Sequence, residues 1–186
     1  MVSLTALWLP MIVSAVIVFF ASSVIHMVLA YHRNDFKMVP NEDEAMEAFR
    51  RMNIAPGDYG IPCARSPEHM RKPEFQAKMS KGPIVFMTVL AGGSTSMGSS
   101  LALWFVYSLL VSLFSGYIAS RALPPGADYL KVFQFVGTSA FMGYSFALLQ
   151  WSIWYHRNWG TTMKSVFDGL VYASLTAGTF GWLWPR

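Results

Sequence analysis

Residues 6–30 read ALWLPMIVSAVIVFFASSVIHMVLA, 25 consecutive positions without an acid, a Lys or an Arg. As a helix this stretch exceeds the roughly 30 Å hydrocarbon core of a bilayer and crosses it with some tilt. Lipid offers no partner for a backbone N–H or C=O, so the segment must be helical and must pack against other helices. A cleaved signal peptide fits less well, because no basic stretch precedes the apolar run and the run is too long. Pro10 falls near the outer end, where a helix lacks internal N–H partners anyway.

Three more spans follow, at roughly 100–120, 131–155 and 165–184. The last is written in fours: Ser165, Gly169, Ala173, Ala177 and Gly181 make one ridge of small residues along a helix. Such a ridge admits a second helix at close range, which in lipid replaces the drive that water would supply. Ser108, Ser112, Gly116 and Ser120 repeat the pattern in the second span, and Ser139, Gly143 and Ala147 in the third. The ridges exceed what the seams of one copy obviously require, which implies a homo-oligomer or other membrane subunits as partners besides the lipid bilayer.

Composition agrees with this reading: 54% of residues are apolar and 13% charged. The net charge of +4 does not indicate nucleic acid, because nine of the fourteen Lys and Arg residues lie in one loop, 31–82, beside a span. With both termini outside, the inside loops carry eleven basic residues and the outside three, as the positive-inside rule requires. The seven Trp residues fall mostly near span ends, as interfacial anchors do. The single cysteine, Cys63, excludes an internal disulfide and a cysteine-rich metal site.

Within 31–82, Asn41 followed by Glu42, Asp43 and Glu44 predicts a capped helix over 41–52, with Arg50 and Arg51 at its far end. Residues 53–67 are punctuated by Pro and Gly and read as a loop. Pro73 opens a second short helix that ends near Gly82. Residues 83–99 are too short in apolar content to span, and read as an interfacial or re-entrant element or an extended entry to the next helix. Gly92, Gly93, Ser94, Thr95 and Ser96 form its polar tip, which lacks the Gly-Lys-Ser/Thr of a phosphate-binding loop.

Ionisable groups in spans are costly and mark candidate sites. His26 and His32 close the first span, Gln150 and His156 close the third, and Asp168 opens the fourth, so the topology brings these five to one level on the cytoplasmic side. A hydrogen-bonded network tying the helices together accounts for such a set, and so does a proton or ion pathway, since imidazole titrates near neutral pH. Axial ligation of haem or a metal by two histidines is a third reading, weakened by the absence of HExxH or ExxH. No Ser-His-Asp pattern, paired catalytic carboxylates or dinucleotide fingerprint occurs, so an enzyme is the least supported class.

The stretches VIHMVLAYHRNDFKMVPNEDEAM, PGDYGIPCA, GADYLKVFQFVGTSAF and SIWYHRNWGTTMKSVFDGLVYASLTAGTFGWLWP resemble a family of small bacterial inner-membrane proteins with no assigned activity. The resemblance covers nearly the whole chain and implies an inner-membrane location, with no residue role and no cofactor.

The expectation is thus an all-α integral membrane bundle, one membrane domain of four transmembrane helices with a cytoplasmic insertion between the first and second. The first functional reading is a non-catalytic membrane component that associates through helix packing. The second is a small proton- or ion-coupled transporter or channel using His26, Gln150 and Asp168.

Overall fold

The computed structural model of the chain describes residues 1–93 and 96–186, so Ser94 and Thr95 of the polar tip lie outside the described residues. The elements in order are α1 (Trp8–Ser23), α2 (Glu42–Met52), β1 (Gly57–Ile61), α3 (Pro67–Arg71), α4 (Pro73–Lys81), β2 (Val85–Val89), α5 (Met97–Ala122), α6 (Tyr129–Phe141), α7 (Ala147–Trp154) and α8 (Trp159–Trp182). They divide into two compact units, Met1–Phe36 with Ser96–Arg186, and Lys37–Thr95.

The first unit is a four-membered helical bundle. Leu4–Val28, Met97–Ala122 and Tyr129–Trp154 are long and apolar enough to cross a membrane. The fourth member, α8, has 24 residues but carries Lys164, Asp168 and several Thr, Ser and Gly, and is less apolar. α1 packs on α5 and α8, and α6 packs on the same two, so the helices form a closed ring.

The bundle is inverted relative to a water-soluble one. Its buried residues include Ser14, Ser112, Ser145, Thr162, Asp168 and Thr176, while Phe20, Leu103, Phe114, Trp154 and Phe167 face outward. In water that surface would be an aggregation hazard, whereas against lipid tails it costs nothing.

The small-residue ridges of α5 and α8 lie inside this ring, whereas Gly143 and Ala147 of the third ridge are exposed. Along α8, a methyl group added to Gly169 would strike Ser145, one added to Gly137 would press on Ala177, and one added to Gly181 would enter the ring of Tyr129. This contact order is antiparallel and runs the full seam between α8 and the third membrane helix. On α5, Ser112 shares a 2.9 Å hydrogen bond with Ser14, Gly116 lies against Met11 and Phe180, and the Ser120 carbonyl accepts from the N–H of Val2. Gly143 meets Val111 of α5, and Ser139 is partly exposed. The ridges of α5 and α8 are therefore largely consumed by the seams of a single copy, while the third ridge stays on an outer face.

Two wide turns interrupt the long helices. At the end of α1 the N–H of Leu29 donates to the carbonyl of Val24, an i to i+5 turn that holds His26. Met142–Phe146 makes the second, between α6 and α7, and holds Tyr144 and Ser145. Such turns rotate the side chains that follow out of helical register, and they recur at functional sites.

The second unit departs from expectation in two places. Within 83–99, Val85–Val89 is extended, as an entry to the next helix would be, but it is also a strand, paired antiparallel with Gly57–Ile61 from a stretch read as loop, with Tyr59 opposite Met87. Val85, Phe86, Thr88 and Val89 favour the pleated chain, and cross-strand pairing supplies what local reading cannot see. Gly92 and Gly93 then form a turn, and Ser96 caps α5 by accepting from the N–H of Ser99. Asn41 also differs, for it precedes α2 in a left-handed conformation (φ 55°) and makes no side-chain cap, so the expected capping box is not formed. α4 runs Pro73–Lys81 and stops at Gly82 (φ 61°), as Pro and Gly dictate.

Gly169→Leu is expected to destabilise the bundle by about 1–3 kcal/mol, the usual range for overpacking a tight contact. Leu170→Phe, on the exposed face beside it, should be nearly neutral. Reversible unfolding in detergent, followed by circular dichroism, compares the two.

Candidate functional site

The site is built at one end of the helical unit, where α1 unwinds. After the wide turn, Leu29 is extended and Ala30–His32 makes a single tight turn. The N–H of Asp35 then donates to the carbonyl of His32, which brings the Asp35 carboxylate under the imidazole. Opposite, α8 starts at Asn158, whose side chain accepts from the N–H of Thr161. Lys164, Asp168 and Tyr172 follow at i, i+4 and i+8, one stripe of the helix.

Four groups interlock across this gap. Lys164 Nζ donates to Asp35 Oδ1 at 2.8 Å and to the Tyr31 carbonyl at 2.9 Å. The other oxygen, Asp35 Oδ2, lies 2.6 Å from His32 Nδ1. His32 Nε2 lies 2.8 Å from Asp168 Oδ2, and Asp168 is buried. The His26 ring stacks on His32 with centroids 4.4 Å apart, and its Nε2 is 3.3 Å from the Tyr172 hydroxyl. Burial pushes the Asp35 carboxyl up, but hydrogen bonds and charge from Lys164 and His32 outweigh it and hold the group below the ordinary carboxylate range.

Proton counting gives the site its chemistry. Ionised Asp35 accepts only, so His32 Nδ1 must be the donor in that pair. A neutral imidazole has one N–H, and Nε2 is then a bare lone pair facing the Asp168 oxygen at hydrogen-bond distance. Two acceptors at that separation repel unless a cation lies between them. A proton serves, and so does a metal ion. With a proton there, His32 and Lys164 balance Asp35 and Asp168, which is what a low-dielectric setting demands.

Of the five residues anticipated here, the structure brings together His26, His32 and Asp168, whose ligand atoms all lie within 4.8 Å of one another. Gln150 and His156 are exposed and belong to another face. Gln150 lies two residues before the buried Ser152, about 200° around the helix from it. α7 has already ended when His156 turns left-handed (φ 53°), which redirects the chain toward α8. Lys164, Asp35 and Tyr172 escaped the sequence reading, although the i+3 step from His32 and the i+4 steps on α8 were both available as signals. Trp104 and Trp184 are likewise internal donors, Trp104 to Ser22 at 2.8 Å and Trp184 to the Pro124 carbonyl at 3.0 Å.

The stacked histidines do not fit axial haem ligation, which places the two rings on opposite faces of a macrocycle. Joint ligation of one small ion is the arrangement open to them. Next to the site, Tyr172 packs on Trp104 and Tyr144, and the buried Tyr144 hydroxyl has no well-formed hydrogen-bond partner among the described residues.

The fold and site together define a helical bundle of membrane character with a cluster of histidine, aspartate and lysine side chains at one end. Comparison with protein-family models, with curated proteins and with solved structures finds no match in any of the three. Function is therefore argued from the site's own geometry.

Lys164→Met and Asp35→Asn are each expected to cost about 1–3 kcal/mol, the range for a hydrogen bond to a charged group. The double variant should cost less than the two singles together, by about 0.5 kcal/mol or more. Unfolding of the four proteins in detergent measures this coupling, and strict additivity would deny that the pair acts as a unit.

Proposed function

We propose that the chain is an integral membrane protein of four spans that handles a cation at the cluster of His26, His32 and Asp168, as a small proton- or ion-coupled transporter. The observation that carries this is the pair of acceptors, His32 Nε2 and Asp168 Oδ2, held 2.8 Å apart by groups from distant parts of the chain. An ionisable pair set into a membrane bundle is the kind of group that marks a proton or ion pathway.

Counting α8 as the fourth span is supported by where its polar groups go. Asp168, Thr161, Thr162, Thr176 and Thr179 are buried, while Phe167 and Leu170 are exposed, so lipid meets a more apolar surface than the composition of α8 suggests. The basic-residue asymmetry supports an inner-membrane protein with residues 31–82 as an insertion on the cytoplasmic side and both termini outside.

A second reading, a non-catalytic subunit or homo-oligomer, draws on a groove of about 360 Å³ between α5 and α6. Tyr107, Leu110, Phe114, Ile118, Ser139 and Gly143 line it. Small and apolar residues side by side on an outer face suit a further helix. Native mass spectrometry of protein drawn gently from its own membrane distinguishes the readings by the subunits retained.

In proteoliposomes with an imposed pH or ion gradient, the wild type is expected to carry a flux that Asp168→Asn and His32→Gln reduce to the level of empty vesicles, with the fold retained. A wild type that carries none removes the transport reading. Orientation has its own probe: Cys63 is the one cysteine and is exposed. A membrane-impermeant maleimide is expected to label it in inside-out vesicles and to leave it unlabelled in intact spheroplasts.

A further inference from the structure

We propose that His26, His32 and Asp168 form a binding site for a divalent transition-metal ion of the zinc class, with Asp35 as the carboxylate that orients His32. This narrows the cation of the cluster described above and rests on that cluster being a cation site, but it does not require transport.

The donor set points to this class of ion. Two imidazole nitrogens and one carboxylate oxygen suit zinc and its neighbours, whereas calcium and magnesium prefer oxygen alone and copper(I) prefers sulfur. The donors come from three segments: the wide turn at the end of α1, the tight turn after it, and α8. Tetrahedral bonds of about 2.0–2.2 Å place ligand atoms roughly 3.3 Å apart. The His32–Asp168 contact of 2.8 Å must open slightly, and the widest separation, within 4.8 Å, must close by about 1.5 Å. Rotation of the exposed His26 side chain, away from the Tyr172 hydroxyl, supplies that movement.

The surroundings of His32 are those of a metal-bound imidazole. A metal-ligating histidine typically donates its second ring N–H to a carboxylate, which fixes the tautomer and makes the ligating nitrogen more basic. Asp35 Oδ2 at 2.6 Å takes that role, and Lys164 on Oδ1 keeps the carboxylate in place. The lone pair of His32 Nε2 is thereby aimed at Asp168. Three protein ligands leave the fourth position of a tetrahedral ion open, as in exchangeable or catalytic zinc sites. His26 at the exposed edge gives the ion a way in. Lys164 nearby leaves the loaded site with excess positive charge, which favours an ion that exchanges over one that is locked.

The test uses the full chain in detergent, prepared without a polyhistidine tag and stripped with a chelator. Cobalt(II) is titrated in and followed by its visible absorption, then displaced with zinc. The expected result is one equivalent per chain with the intense bands of a low-coordinate site. His32→Gln and Asp168→Asn should abolish them, Asp35→Asn should weaken binding about 10–100-fold as loss of an orienting carboxylate does, and His69→Gln, in the other unit, should change nothing. Should the first two variants fail to fold, the Asp35→Asn shift and the His69 control still decide the matter. Absence of saturable binding in the wild type, or a loss shared equally by His69→Gln, overturns the site. Metal bound here without any flux in vesicles keeps the site and removes transport. Flux lost in Asp168→Asn without metal binding in the wild type does the reverse.

Discussion

A leucine is solvated as well by lipid as by another leucine, so helices in a bilayer hold together only where backbones come close and polar groups meet. This bundle follows that constraint throughout. Its interior seams are made of Gly, Ala, Ser and Thr, with Gly169 against Ser145, Ala177 against Gly137 and Ser112 bonded to Ser14. Many bulky apolar residues are left to the outer surface, with Leu7, Val18, Val132, Val136 and Phe180 among those kept inside. Hydroxyls inside the bundle are tolerated because most return a hydrogen bond to a carbonyl one turn back, as Thr176 does to Tyr172 and Ser108 to Trp104.

The same constraint explains why the ionisable groups collect at one place. A lone Asp168 within a helix seam would be prohibitively costly, and His32, Asp35 and Lys164 make it tolerable by closing a chain of short contacts around it. For that chain to form, α1 must end early and fold back within a few residues. The wide turn at Val24–Val28 and the tight turn at Ala30–His32 accomplish it. Local backbone irregularity and the site are thus one feature: without the break, His32 would continue up the helix and Asp35 would not lie under it.

How much of this was legible varies by element. His26, His32 and Asp168 stood out because charge and imidazole are rare in spans, and their ligand atoms lie within 4.8 Å of one another. Gln150 and His156, expected at the same level, are exposed, since rotation about the helix axis decides facing and a level does not. Asp35 and Lys164 looked like ordinary loop and helix-start charges, and only their mutual approach reveals them as members of the network. The strand Val85–Val89 was similarly hidden, because its partner Gly57–Ile61 lies across two intervening short helices.

Apolar run length, small-residue periodicity and the sparseness of charge determined by themselves that the chain forms long membrane-type helices with packable ridges, because those properties act through local geometry and the solvent. Tertiary structure decided that the α5 and α8 ridges are spent inside one copy while the third stays outside, that Trp104 and Trp184 turn inward as donors, and that His32 faces a carboxylate on each side. Each of those outcomes depends on the rotation and register of one element against another, which pairwise contacts set and no single segment encodes.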